Sequence, residues 1–251
     1  MRIALVDSGI GMLSTAAALR AARPDAHLIL SMDPDHMPWG PRAPEEIIGR
    51  ALAGARATRG FGVDAVVVPC NTASVHGLTA LRAEFEPAIP VVGTVPPIKP
   101  AAAGGGPIAV WSTAATTSSR YQRDLIERFA PGISVTPVAC VGMAEAVESA
   151  DPGAVAGAIA YAAERTPSGV TGVVLGCTHY DLVGDEISAA LGHPAELFTA
   201  AGSVAAQTLR RLGAAPAPGL ARTGTLTVLA SGRPAELPKA ALTYPAGIAL
   251  L

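Results

Sequence analysis

Short aliphatic runs alternate with longer, Ala-rich amphipathic stretches along nearly the whole chain. A run such as Val66-Val67-Val68 is too short for a helix and too apolar for a loop, so it predicts a strand buried on both faces. Runs of this kind separated by helix-length segments have few ways to fold. The expected result is α/β, a mainly parallel sheet covered by helices. The pattern predicts strands at Ile3 to Val6, Leu28 to Met32, Ala65 to Val68, Val91 to Thr94, Ile108 to Trp111, Val135 to Val138, Val173 to Leu175 and Leu226 to Ala230. Helices are predicted over 12–22, 44–60, 72–83, 118–129, 152–165, 181–191 and 201–212.

The pattern also repeats. Ile3-Ala4-Leu5-Val6-Asp7-Ser8 has a counterpart in Ile108-Ala109-Val110-Trp111-Ser112-Thr113, and Val68-Pro69-Cys70-Asn71-Thr72 has one in Leu175-Gly176-Cys177-Thr178-His179. From Ile3 to Cys70 is 67 positions, and from Ile108 to Cys177 is 69. The expectation is therefore two similar doubly wound α/β lobes, pseudo-two-fold related. They are joined near Pro96-Pro97-Ile98-Lys99-Pro100 and Gly104-Gly105-Gly106-Pro107, where proline and glycine density favours a connection. Ligands of open α/β sheets collect beyond the carboxyl ends of the strands, so two lobes facing each other would bring both cysteine turns to one cleft.

Composition narrows the function classes. With 50% apolar residues the 251-residue chain has enough for a sizeable core, and its net charge of −2 leaves no basic footprint for nucleic acid. Three cysteines suggest reduced thiols rather than a disulfide framework. The opening Met1-Arg2-Ile3-Ala4-Leu5-Val6-Asp7 is too short of apolar residues for a secretion signal, and no run is long enough to span a membrane. A cytoplasmic protein without membrane partners is the expectation. Gly9-Ile10-Gly11 starts a dinucleotide fingerprint, but Ser14 stands at its third glycine, which disfavours a nicotinamide cofactor. Cys70, Cys177 and His179 lack the spacing of a zinc site, so no metal is expected.

Two thiols in matched contexts suit removal of a weakly acidic C–H proton on one face and return of a proton on the other. A thiol titrates near ~8.5, and the N–H groups at a helix start favour its thiolate. Asp7 and His179 stand close enough in sequence to a strand end or a thiol to handle protons there. Ser8, Asn71, Thr72, Thr113, Thr116, Thr117 and Thr178 cluster at strand-to-helix turns, where hydroxyls, amides and backbone N–H groups bind small anions. Each taken singly is equally explained as a helix cap.

At these residues the chain resembles the aspartate/glutamate racemase superfamily. The resemblance is carried by Val6-Asp7-Ser8-Gly9-Ile10-Gly11, Met37-Pro38-Trp39-Gly40, Pro69-Cys70-Asn71-Thr72-Ala73-Ser74, Thr113-Ala114-Ala115-Thr116 and Gly176-Cys177-Thr178-His179-Tyr180, with Ser231-Gly232 toward the end. It implies an active site between two lobes, residues 1–97 with a returning segment 208–251, and residues 98–207. It also implies cofactor-independent interconversion of L- and D-glutamate by two bases, supplying D-glutamate for peptidoglycan. Cys70 would deprotonate the D-isomer and Cys177 the L-isomer, with Asp7 and His179 as auxiliary acid/base residues and Glu148 supporting the histidine. Substrate contacts would fall to Asp7, Ser8, Trp39, Gly40, Asn71, Thr72, Thr113, Thr116, Thr178 and His179.

Four positions depart from the superfamily's usual pattern. Met12 follows Gly11 where a glycine is usual, Trp39 replaces a tyrosine, and Asp181 and Glu145 replace prolines. These keep aspartate or another amino acid open as the substrate, and a binding protein without turnover is the non-enzymatic alternative. Low aromatic content leaves a homodimer open.

Overall fold

The computed structural model describes residues 1–251. They form two compact units, Met1–Thr94 together with Ala201–Leu251, and Val95–Ala200. Along the first stretch run β1 (Arg2–Val6), α1 (Leu13–Ala22), β2 (His27–Met32), α2 (Pro44–Ala57), β3 (Ala65–Val68), α3 (Asn71–Phe85) and β4 (Val91–Gly93). The second unit holds α4 (Ile98–Ala102), β5 (Ile108–Ser112), α5 (Ala114–Thr117), α6 (Arg120–Phe129), β6 (Val135–Ala139), α7 (Met143–Ser149), α8 (Pro152–Ala163), β7 (Gly172–Leu175), α9 (Gly184–Leu191) and β8 (Glu196–Phe198). The chain then returns through α10 (Ala201–Arg211), β9 (Leu226–Ala230), β10 (Arg233–Ala235) and α11 (Pro245–Ile248).

The first unit is a six-stranded sheet in the order β10-β9-β2-β1-β3-β4, parallel except for β10. Strand side chains alternate between faces. On one face Ala4, Val6, Ile29, Val66 and Val68 pack against Ile47, Ala51 and Ala55 of α2 and Ala73, Leu81 and Phe85 of α3. Ile3 and Leu5, with the opposite parity, are fully buried as well. Burial on both faces is why β1 reads as an unbroken aliphatic run. Helix α10 reaches β3 and β4 and packs on α1.

Buried Arg20 ties the returning segment in place. Its guanidinium donates to the carbonyls of Ala26 at 2.6 Å and Thr225 at 3.0 Å. Gly224 passes so close that a Cβ there would overlap the Ala26 carbonyl and the Arg20 guanidinium.

The second unit is a four-stranded parallel sheet in the order β6-β5-β7-β8. This matches β2-β1-β3-β4 strand for strand, so the sequence repeat is also a repeat of topology. Its core joins Ile108, Val110 and Val174 to Ile98 and Ala101 of α4, with Leu125, Ile126 and Phe129 of α6 packed against them.

Every predicted strand is present, within one residue at either end, and the seven predicted helices are there with shifted ends. Six short elements were not anticipated: β8, β10, α4, α5, α7 and α11. The segment around Ile98-Lys99-Pro100, expected as open connection, is the helix α4 with Ile98 and Ala101 buried. Pro100 does not break it, because the first-turn N–H groups of a helix have no intrahelical acceptor to lose. No helix is long and apolar enough to cross a membrane.

Candidate active site

In each sheet the chain leaves the inner strand to one side and later returns to pair on the other. The carboxyl ends of β1 and β3, and likewise of β5 and β7, therefore flank a topological switch point, where open α/β sheets leave a crevice for ligands. Both cysteines lie at such points.

In the first unit, β1 delivers Asp7 and Ser8, and β3 delivers Cys70, Asn71 and Thr72. Asp7 is 1% exposed. Its Oδ1 accepts the Ser8 backbone N–H at 2.7 Å and the Ser8 hydroxyl at 3.3 Å. Cys70 is the N-cap residue of the 15-residue helix α3, with extended backbone at φ −61° and ψ 119°. The unsatisfied N–H groups and dipole of that helix start favour negative charge there. Asn71 follows in the first turn, and its side-chain oxygen is buried with no hydrogen-bond partner in the chain. Such an acceptor is costly unless a ligand donates to it. Thr72 is half-buried beside it.

Trp39 and Gly40 lie on the connection from β2 to α2. Trp39 is 1% exposed and packs into the apolar core rather than onto an open surface. Its indole N–H donates to Asp33 Oδ2 at 3.1 Å. Trp39 also helps wall a cavity of about 160 Å³ that Asp7, Asp33, His36 and Arg50 line. Met12, standing where a glycine is usual in the superfamily, is fully buried inside the unit.

In the second unit, Gly176 lets β7 turn against its neighbour. Its N–H donates to the Trp111 carbonyl at 2.7 Å, and a Cβ would stand 2.8 Å from that same oxygen. The next residue is Cys177. Its sulfur lies 3.8 Å from His179 Nδ1, and His179 Nε2 lies 2.8 Å from Glu148 Oε2 near the end of α7. The result is a thiol–imidazole–carboxylate relay. His179 is 3% exposed. Burial alone would lower its pKa, but the hydrogen bonds and charges of Cys177 and Glu148 outweigh that and hold it well above its usual value. Thr178 is buried next to the thiol.

Thr113 and Thr116 have local partners. Thr113 caps α5, its hydroxyl accepting the Thr116 N–H at 3.3 Å and donating to the Thr116 hydroxyl at 3.0 Å. Asp181 carries no such bond, and burial pushes its carboxyl up to about 8 despite the opposing effect of His179. In the sequence Gly176 stands out only as the residue before Cys177, and Asp33 not at all. A glycine ending a buried strand is a usable signal for the first, whereas the bond that ties Asp33 to Ser231, 198 residues on, leaves no local trace.

A family model described as Asp/Glu/Hydantoin racemase matches residues 9–208. A glutamate racemase from Roseiflexus sp. (strain RS-1) is 38% identical over 208 residues, covering 81% of this chain and 76% of the relative. Another, from Herpetosiphon aurantiacus, is 37% identical over 245 residues, 94% of this chain and 95% of its own length. Among solved structures, Escherichia coli glutamate racemase in complex with L-glutamate and the activator UDP-MurNAc-Ala superposes with a TM-score of 0.79 at 29% identity, covering 91% of this chain and 98% of that one.

Proposed function

The chain belongs to the Asp/Glu/hydantoin racemase family, and on that premise we propose that it is a glutamate racemase needing no cofactor, with Cys70 and Cys177 as its two proton carriers. The observation that carries the residue assignment is the repetition of one half-site. Each sheet presents a thiol at its switch point, after corresponding strands, and the second thiol lies 3.8 Å from His179 Nδ1.

The α-hydrogen of an amino acid is a weak acid, and a carbon acid of that kind needs a base held close and desolvated. In the proposed reaction one thiolate takes the α-proton and becomes a thiol. The electron pair is held in the substrate's enolate-like carboxyl, and the other thiol gives its proton to the opposite face. The inverted product leaves with the two cysteines in exchanged protonation states, so no external oxidant or reductant enters. Cys70 serves the D-isomer with Asp7 as its proton-handling neighbour. Cys177 serves the L-isomer with His179, which Glu148 keeps protonated. Asn71 Oδ1 is suited to accept from the substrate ammonium, which would satisfy its buried lone pair. Ser8, Trp39, Gly40, Thr72, Thr113, Thr116 and Thr178 complete the proposed substrate shell. The same reading places the enzyme in the cytoplasm, making D-glutamate for peptidoglycan.

The test is proton exchange. In D₂O the enzyme is expected to place deuterium at Cα of glutamate while inverting it, followed by NMR and chiral chromatography with aspartate in parallel. Cys70→Ser and Cys177→Ser are each expected to abolish inversion. Undiminished inversion in both variants would sink the two-thiol mechanism, and faster turnover of aspartate would move the substrate assignment.

A further inference from the structure

Asp33 follows β2 and gathers groups that are far apart in sequence. Its Oδ2 accepts the Trp39 indole N–H at 3.1 Å, and its Oδ1 accepts the Ser231 hydroxyl at 2.7 Å. His36 Nδ1 lies 2.8 Å from Oδ1, and Arg50 Nη1 lies 3.6 Å from Oδ2. The Asp33 backbone N–H donates to the Ser8 carbonyl at 3.2 Å. One residue therefore joins the turn after β1, the connection carrying Trp39 and Gly40, and the turn between β9 and β10.

Two features indicate that the carboxylate holds these parts in place rather than merely capping one of them. Ser231 and Gly232 form the two-residue loop of the β9–β10 hairpin, with positive φ at both (45° and 79°), so the turn itself fixes the Ser231 backbone and sets its hydroxyl against Asp33. That hydroxyl both donates to Asp33 and accepts the Asp35 N–H at 3.3 Å. The second feature is that Asp33 is ionised although half-buried. Burial would push its pKa up, but the hydrogen bonds from His36, Ser231 and Trp39 hold it below the usual value. A neutral group there would lose about half of what its donors gain from it.

We propose that Asp33 is a positioning residue for substrate binding, holding the Pro38-Trp39-Gly40 turn in register with Ser8 and coupling it to Ser231. Asp33 does not itself touch substrate. The proposal rests on the glutamate racemase reading for its kinetic consequence, but its structural half is independent of that reading.

Asp33→Asn tests both halves. The asparagine oxygen can still accept from two donors, but the second acceptor oxygen and the charge that serves all four are lost. KM for both enantiomers of glutamate is expected to rise about tenfold, the loss of one hydrogen bond to a charged group, while kcat stays within about twofold. Trp39 supplies the second readout, by difference from Trp39→Phe. Excited indole moves electron density away from its nitrogen, so a carboxylate at the N–H favours the red-shifted state. Asp33→Asn is expected to shift Trp39 emission to the blue. Ser231→Ala, which leaves Asp33 charged, is expected to raise KM in the same direction by less, and it decides the question if Asp33→Asn fails to fold. Unchanged KM in the folded variants, or a fall in kcat with KM unaltered, overturns the positioning role. If the wild-type protein does not racemise glutamate, the functional reading fails, and the emission shift still decides whether Asp33 holds Trp39.

Discussion

Replacing Glu148 with glutamine isolates the charge of the carboxylate in the Cys177–His179–Glu148 relay. Glutamine is nearly isosteric, and its oxygen can still accept from His179 Nε2 at the 2.8 Å separation of the native pair. A hydrogen bond to a charged group is worth about 1.5–3 kcal/mol and a neutral one about 0.5–1.5 kcal/mol, so removing the charge costs the relay about 1.5 kcal/mol. The Glu148 side chain is 22% exposed, so solvent screens part of the attraction and the loss should fall no higher than this. That energy corresponds to about tenfold in rate and about one pH unit. The enantiomers have equal free energy, so kcat/KM must fall by the same factor in both directions. The alkaline limb of the pH profile should move down by about one unit, because His179 then loses its proton sooner. Circular dichroism of racemisation from each enantiomer across pH measures both effects. Glu164→Gln, at an exposed position, serves as the control. If Glu148→Gln folds and leaves both the rate and the alkaline limb where they were, the relay has no part in proton transfer.

Other expectations follow from the same geometry. His179 has a raised folded pKa, so the stability from its charged form is full below its unfolded pKa of about 6.5 and is lost as pH rises through the higher folded value. Thermal melts of Glu148→Gln should show that loss smaller and complete at lower pH. Asp181 is also raised, to about 8, so its contribution declines as pH rises from the ordinary carboxylate range through 8. Asp181→Asn should remove this decline and be the more stable protein at pH 8, and a variant melting no higher than wild type there would contradict the burial argument. Gly176→Ala sets a Cβ 2.8 Å from the Trp111 carbonyl in a rigid strand, which should displace Cys177 and lower kcat at least about tenfold in a protein that still folds. Arg20→Ala removes the donors to Ala26 and Thr225 and should lower the unfolding free energy by about 3 kcal/mol in urea titration, with kcat little changed.

Strand positions, the repeat and the two cysteine turns were legible from the sequence because each depends on local chemistry. A continuous aliphatic run such as Val66-Val67-Val68 carries its own evidence of burial on both faces, and a thiol following such a run is placed at the strand's carboxyl end by the chain itself. Short elements were not legible. Helix α7 has Gly142 at its N-cap with no side-chain bond, and β8 is three residues long, so both exist through the sheet and helices they pack on. Glu148 was named through the resemblance rather than by any local signal, and α7 lays it 2.8 Å from His179. Trp39 changed most. In the sequence it stands as a substitution in a substrate turn, and in the folded chain its N–H belongs to Asp33. The bonds of Asp33 to Ser231, and of Arg20 to Thr225, span separations that no local periodicity records, because loop closure over such lengths is decided by the whole packed structure. Local propensity and pattern determined which residues could do chemistry. Tertiary packing decided which of them share a hydrogen bond, a charge and a pKa.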